Sequence, residues 1–216
     1  MTDHAPDPHA ITTREQLRAA GGTAGPRPAG KVIDRIDPIC AKFIAASPFA
    51  VFATIGADGL PDLSPKGDPA GFVAVLDEHT LALPDRLGNK RFDSFENLLE
   101  NPQVALLFLI PDRGETLRVA GRGRLTRDPD LCARLAVNDR PAQFVVLIDV
   151  QEAYLHCSKC MIRSRLWQPD HWPDSAQVPS LAEGIMEHAR LLEKGLAKDL
   201  HEVKTIIDDD AVNRLY

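Results

Sequence analysis

Apolar residues recur along this chain with two periods, and each change of period marks an element. Ile36, Ile39, Cys40, Phe43 and Ile44 fall at helical spacing, which predicts an amphipathic helix over residues 34–46, stopped at Ser47-Pro48. Phe49-Ala-Val-Phe-Ala-Thr-Ile-Gly56 then reads as a strand. Gly56-Ala-Asp-Gly59 is a hairpin turn, and Leu60-Pro-Asp-Leu-Ser64 leads the chain back. Residues 71–76 and 80–84 predict two further strands joined by a tight turn. Phe92, Phe95, Leu98 and Leu99 form one stripe of a helix from about Asn89 to Asn101, ended by Asn101-Pro102.

The second half repeats the pattern. Residues 104–110 read as a buried strand and 115–127 as a long one, with Gly121 and Gly123 predicting a bend or bulge. A short helix is expected over 129–137, and a strong strand from Phe144 to about Tyr154. Residues 156–166 lean to helix. Residues 168–179 hold three prolines and read as a linker, and Ser180-Leu-Ala-Glu183 is a capping box opening helix to about Ile207. Residues 1–33, rich in Pro, Gly, Ala and Thr, are expected as an extended arm. The organisation is therefore an arm (1–33), a β-rich domain (34–167), a linker (168–179) and a helical extension (180–216). Six or seven strands joined mostly by short turns do not alternate strictly with helices. They fit a mainly β or α+β fold, an antiparallel barrel with peripheral helices, rather than a doubly wound parallel sheet.

Composition narrows the class. The 216 residues are 44% hydrophobic and 26% charged, enough for a sizeable core. A net charge of −6 counts against a general nucleic-acid binder. No apolar run is long enough to span a membrane, so no membrane partner is expected. Met-Thr-Asp-His-Ala-Pro-Asp-Pro has neither a basic nor an apolar leader region, so a cytoplasmic location and reduced cysteines are expected.

Two segments carry candidate chemistry for anion binding. Arg86, Lys90 and Arg91 crowd the expected helix opening after Gly88-Asn89, where cations are unfavourable unless an anion sits there. Ser64-Pro65-Lys66-Gly67-Asp68 reads as a tight polar loop leaving a strand, with a hydroxyl, a cation and a glycine that permits close approach. Alone, that loop also reads as ordinary surface. Both segments adjoin neighbouring strands of the expected sheet and could meet around one phosphate.

A third segment, His156-Cys-Ser-Lys-Cys160, has dithiol or metal spacing, but no second pair completes a ligand set and no metal is expected. Packing of Cys157 and Cys160 as small hydrophobes is the favoured reading, and Cys40 and Cys132 are expected in the core.

Leu98-Leu-Glu-Asn-Pro-Gln-Val-Ala-Leu-Leu-Phe108, Arg118-Val-Ala-Gly-Arg-Gly-Arg124 and the order of the elements around them resemble the pyridoxamine 5′-phosphate oxidase-like superfamily of FMN-binding split barrels, over about residues 40–167. The resemblance is to its uncharacterised FMN-dependent branch. It implies a six- to seven-stranded antiparallel split barrel and a homodimer with FMN at the subunit interface. It also implies an oxidoreductase moving hydride through flavin N5 to or from a small-molecule substrate or reductant; the alternative is a protein that binds FMN, or another phosphorylated ligand, without turnover. Carried over, Ser64, Pro65, Lys66, Gly67, Arg86, Asn89, Lys90 and Arg91 would hold the phosphate, and Thr116 would contact the ring. The segment bearing Arg163 and Trp167 would cap the flavin edge from the same or the other subunit, with Trp167 stacking or packing in an interface. The C-terminal Trp and Arg-x-His signature of the vitamin oxidase has no counterpart in residues 208–216, which counts against pyridoxamine phosphate as substrate.

Overall fold

The computed structural model describes residues 7–192 and 199–215. The chain divides into two units, residues 1–32 and 33–216. In the first, two helices stand where composition predicted an extended arm. α1 (Arg14–Gly21) is held by a reciprocal cap between Thr13 and Gln16. α2 (Pro26–Ala29) is a single turn with proline at its start, where a missing N–H costs nothing.

The second unit is built on one seven-stranded antiparallel sheet: β1 (Phe49–Ile55), β2 (Pro61–Gly67), β3 (Ala74–Asp77), β4 (Thr80–Pro84), β5 (Gln103–Leu109), β6 (Thr116–Thr126) and β7 (Val145–His156), in the order β2-β1-β5-β6-β7-β4-β3. Phe52 of β1, near one edge, and Leu81 and Leu83 of β4, near the other, share one core with Phe108, Leu117, Val119 and Ile148. A sheet whose opposite flanks bury side chains against each other is curled on itself. Its edges β2 and β3 are not hydrogen-bonded neighbours, which leaves the barrel split. This is the antiparallel barrel with peripheral helices that the sequence predicts.

The curl has local causes. Ala120 pairs with Glu152 but Gly121 pairs with Val150, so Gln151 is an extra residue that bulges β7. Gly121 is obligatory there, because a Cβ would lie 2.1 Å from the Asp149 carbonyl oxygen. β4 is buried on both faces: Ala82 joins a second cluster with Cys132, Ala142 and Val145 beneath α5 (Pro129–Arg134). α3 (Pro38–Ala46), capped by Asp37, buries Cys40 and Ile44 in the main core. Burial and the Asp37 side chain push the Cys40 thiol up to about 11, so it stays protonated and inert.

α4 (Asp93–Glu100) inserts Phe95 and Leu98, while Leu99, expected on the same stripe, is 78% exposed. Its Asn97 amide donates to Thr54 Oγ1 at 3.0 Å and to Asp62 Oδ2, which fastens the helix to the β1–β2 hairpin. β7 runs to His156, and helix begins only at α6 (Lys159–Ser164). The C-terminal extension holds α7 (Leu181–Leu191), opened by the predicted Ser180–Glu183 box, and α8 (Leu200–Asn213). The stretch 193–198, expected to continue the helix, lies outside the described residues. No helix among the described residues is long and apolar enough to cross a membrane.

Candidate functional site

Two polar segments meet across the split of the barrel. The first is the end of β2. Ser64 to Gly67 form no loop: they lie in β2 itself, paired with β1 from Phe52 to Phe49. Pro65 is tolerated because β2 is a sheet edge, where one side of the strand needs no donor. The second is the chain after β4. It was expected beside the first on a neighbouring strand, but four strands separate β2 from β4 in the strand order, and only the curl brings them together.

Two ion pairs cross this gap. Arg86 Nε donates to Asp68 Oδ2 at 2.6 Å, with side chains 16% and 1% exposed. Lys66 Nζ lies 3.5 Å from Asp85 Oδ1, with side chains 22% and 10% exposed, and 5.6 Å from the Phe95 ring centre. Burial pushes the Asp85 carboxyl up, against the downward pull of Lys66. Its backbone N–H donates to Phe144 O at 2.9 Å, fixing this corner to the start of β7.

The helix opening differs from the expectation. α4 starts at Asp93, not Asn89, so the cations precede the helix and its first turn carries Asp93 and Glu96. The reason lies in the backbone. Lys90 and Phe92 are left-handed at φ 59° and 58°, and the Asn89 side chain accepts from the Arg91 N–H at 3.0 Å, which closes a local turn. Phe92 is held there by an aromatic cluster, with Phe95 and Phe144 at 5.8 and 5.7 Å between ring centres. Arg91 turns to Asp93 at 2.7 Å and is exposed. Lys90 makes no ion pair among the described residues.

Together these segments wall a cleft of about 600 Å³, within the ~300–1,000 Å³ typical of small-molecule sites. Eight of the eleven expected site residues line it: Ser64, Pro65, Lys66, Gly67, Arg86, Asn89, Lys90 and Arg91. Leu215 brings the C-terminal segment to it as well.

The other three expected residues do not line this cleft. Thr116 is buried at the start of β6, separated from β2 by β5 and β1 in the sheet. Arg163 lies in the last turn of α6, exposed. Trp167 donates from Nε1 to Arg113 O at 2.7 Å, which ties the segment after α6 to the β5–β6 turn. Gly114 in that turn leaves no room for a Cβ, which would lie 2.5 Å from Ser158 Cβ.

Cys40 and Cys132 are buried as expected. Cys157 and Cys160 do not pack as small hydrophobes: both are exposed, because β7 leaves the sheet at His156 and α6 buries none of its residues. Among the described residues no cluster of His, Cys, Asp and Glu could hold a metal ion.

Asp68, Asp85, Gln143 and Arg140 were not read as site residues from the sequence. The aspartates are legible only as part of the alternation Lys66-Gly-Asp68 and Asp85-Arg86, which puts complementary charges on two segments.

The arrangement suits an oxyanion. Arg86 Nη1 is buried and has no hydrogen-bond partner among the described residues. An orphaned guanidinium donor is costly unless an acceptor arrives, and phosphate supplies one in a charge-assisted bond. Lys90 and the turn at Asn89–Arg91 stand at the same rim.

A family model described as Pyridoxamine 5'-phosphate oxidase matches residues 36–157. The chain is similar to a variant of HupZ from Group A Streptococcus, with 18% identity over 56% of this chain and 99% of that one, at a TM-score of 0.47. It is similar to an F420 reductase, with 22% identity over 56% and 98% of the two chains and a TM-score of 0.40. An FMN-binding protein from Syntrophomonas wolfei shows 10% identity over 52% and 80%, with a TM-score of 0.41. No curated protein matches.

Proposed function

The chain belongs to the pyridoxamine 5'-phosphate oxidase family, and from that premise we propose that it is an FMN-dependent oxidoreductase whose cleft between β2 and the 85–95 segment holds the cofactor's phosphate. The observation that carries this reading is the convergence of eight expected residues on one cleft, Arg86 among them with a buried Nη1 that has no hydrogen-bond partner among the described residues. FMN, when bound, supplies hydride transfer at N5.

The chain's own residues bind and orient. Arg86 Nη1 and Lys90 give charge-assisted bonds to phosphate oxygens. Asp68 holds the Arg86 guanidinium by Nε, which fixes the orientation of the group. Lys66, paired with Asp85 and 5.6 Å from the Phe95 ring centre, adds a further cation to the lining. Ser64 adds a hydroxyl from the strand edge.

Thr116, Arg163 and Trp167 lie elsewhere on this chain. We assign them to the cleft of a second copy in a homodimer, each flavin lying between one subunit's cleft and the other's β6–α6 surface. The substrate or reductant is a small molecule, and the protein works in the cytoplasm.

Purified protein tests the reading. It should be yellow, or become so on adding FMN, and have dimer mass by light scattering. Its colour should bleach with a nicotinamide or deazaflavin donor and return on adding an acceptor. A yellow protein inert to donors would mark an FMN carrier instead, and a colourless protein that cannot be reconstituted rejects the flavin site.

A further inference from the structure

Behind Arg86 lies a second, smaller cavity of about 190 Å³, lined by Asp85, Arg86, Leu87, Arg140, Pro141 and Gln143. At ~30 Å³ per water this holds roughly six waters. It is too small for an isoalloxazine and large enough for a phosphate or a short carboxylate.

Its walls are fixed from three sides. Asp85 N–H donates to Phe144 O at 2.9 Å, and Ala142 N–H donates to Cys132 O at 3.1 Å. Val137 and Arg140 exchange two backbone bonds, at 3.1 and 2.9 Å, around Asn138 and Asp139. Those two residues are left-handed at φ 50° and 60°, the pattern of a type I′ turn, which Asn and Asp accept more readily than other side chains. Of the six non-glycine residues with positive φ among the described residues, four sit on the two loops that wall the cleft and this pocket: Lys90, Phe92, Asn138 and Asp139. Backbone held in such regions clusters at ligand clamps.

The chemistry is basic. Arg86 stands between the two cavities and lines both, its Nε on Asp68 and its Nη1 without an acceptor. Arg140 brings a second guanidinium and Gln143 an amide. Asp85 is the acid on this wall, and it is held by Lys66. Two guanidinium forks around one small space are the recognition chemistry of carboxylate and phosphate.

We propose that this pocket is a second oxyanion subsite, distinct from the one that takes the cofactor's phosphate, and that Arg140 and Arg86 bind there the phosphate or carboxylate of a reactant or effector. Asp85, Arg86, Leu87 and Gln143 line both cavities, so the two ligands would lie side by side.

Inorganic phosphate is the probe, read as the rise in melting temperature over a millimolar titration against chloride at matched ionic strength. Saturating FMN fills the phosphate position of the larger cleft; wild-type protein should still show the rise in its presence, and the variants are compared in that state. Arg140→Gln changes an exposed side chain, should stay folded, and should need at least tenfold more phosphate for the same rise above its own melting temperature in chloride. Gln143→Glu, which sets a carboxylate on the same wall, should abolish the rise. Arg134→Gln, an exposed cation at the end of α5 that lines neither cavity, should keep it.

The proposal is overturned if wild type shows no rise, if Arg140→Gln and Gln143→Glu respond as wild type, if Arg134→Gln loses as much as Arg140→Gln, or if FMN removes the response. A protein that never takes FMN but keeps the Arg140-dependent rise would sink the flavin reading and leave the subsite standing.

Discussion

Replacing Arg86 by Ala is expected to lower the free energy of unfolding by about 3–5 kcal/mol, the cost of breaking a buried ion pair by removing one partner. Asp68 is 1% exposed and its closest charge partner is Arg86 Nε at 2.6 Å, so its carboxylate would stay buried with the guanidinium gone. The pair also closes the gap between β2 and the chain after β4, strands separated by four others in the sheet order with no shared hydrogen-bond ladder. Lys66→Ala should cost less, because its pair is longer, at 3.5 Å, and more exposed. Urea unfolding with matched m-values measures both. A loss under about 1 kcal/mol for Arg86→Ala would place that pair in the regime of solvent-screened surface bridges and contradict its role as a clasp.

Gly121→Ala is expected to destabilise at least as much as the upper end of ordinary overpacking, about 3 kcal/mol or more. A methyl group there would stand 2.1 Å from the Asp149 carbonyl oxygen and 3.0 Å from its carbon, and backbone cannot turn aside as a side chain can. The strain falls where β6 and β7 shift register, so relief would require undoing the bulge that curls the sheet. Gly123→Ala is the useful comparison. Its added Cβ would meet the tips of Leu98 and Val104, at 2.8 and 3.0 Å, which can give way in part. Denaturant melts should therefore rank Gly121→Ala below Gly123→Ala, and the reverse order would reject the bulge as the rigid point.

What was legible in the chain follows from which forces are local. Alternation in Phe49–Ile55 and Gln103–Leu109, and the Gly56–Gly59 turn, are local signals, and the strands stand within about a residue of expectation. The start of α4 was not legible. Its position depends on Phe92 being held left-handed by Phe95 and Phe144, and Phe144 lies 52 residues from Phe92 in sequence. The end of β2 read as a loop because Pro65 and Gly67 are turn residues, and nothing local tells that this strand is an edge. The cations of the cleft were visible as a cluster, while their aspartate partners and Arg140 were not, since the curl of the sheet is a tertiary outcome. The exposure of Cys157 and Cys160 likewise follows from where β7 leaves the sheet, which the apolar run 144–150 does not reveal.

The central claim is that this cleft clamps a flavin by its phosphate. It is tested most directly by titrating wild-type protein and the Lys90→Ala/Arg91→Ala double variant with FMN and with riboflavin, following flavin fluorescence. Each well-formed charge-assisted bond contributes about 1.5–3 kcal/mol. Wild type should therefore bind FMN at least tenfold more tightly than riboflavin, and the double variant, still folded, should lose about tenfold or more of that preference through Lys90, while Arg86 keeps the rest and Arg91, exposed and already paired with Asp93, adds little. Equal affinity of the wild-type protein for FMN and riboflavin, or a preference that survives the double substitution intact, would contradict the account.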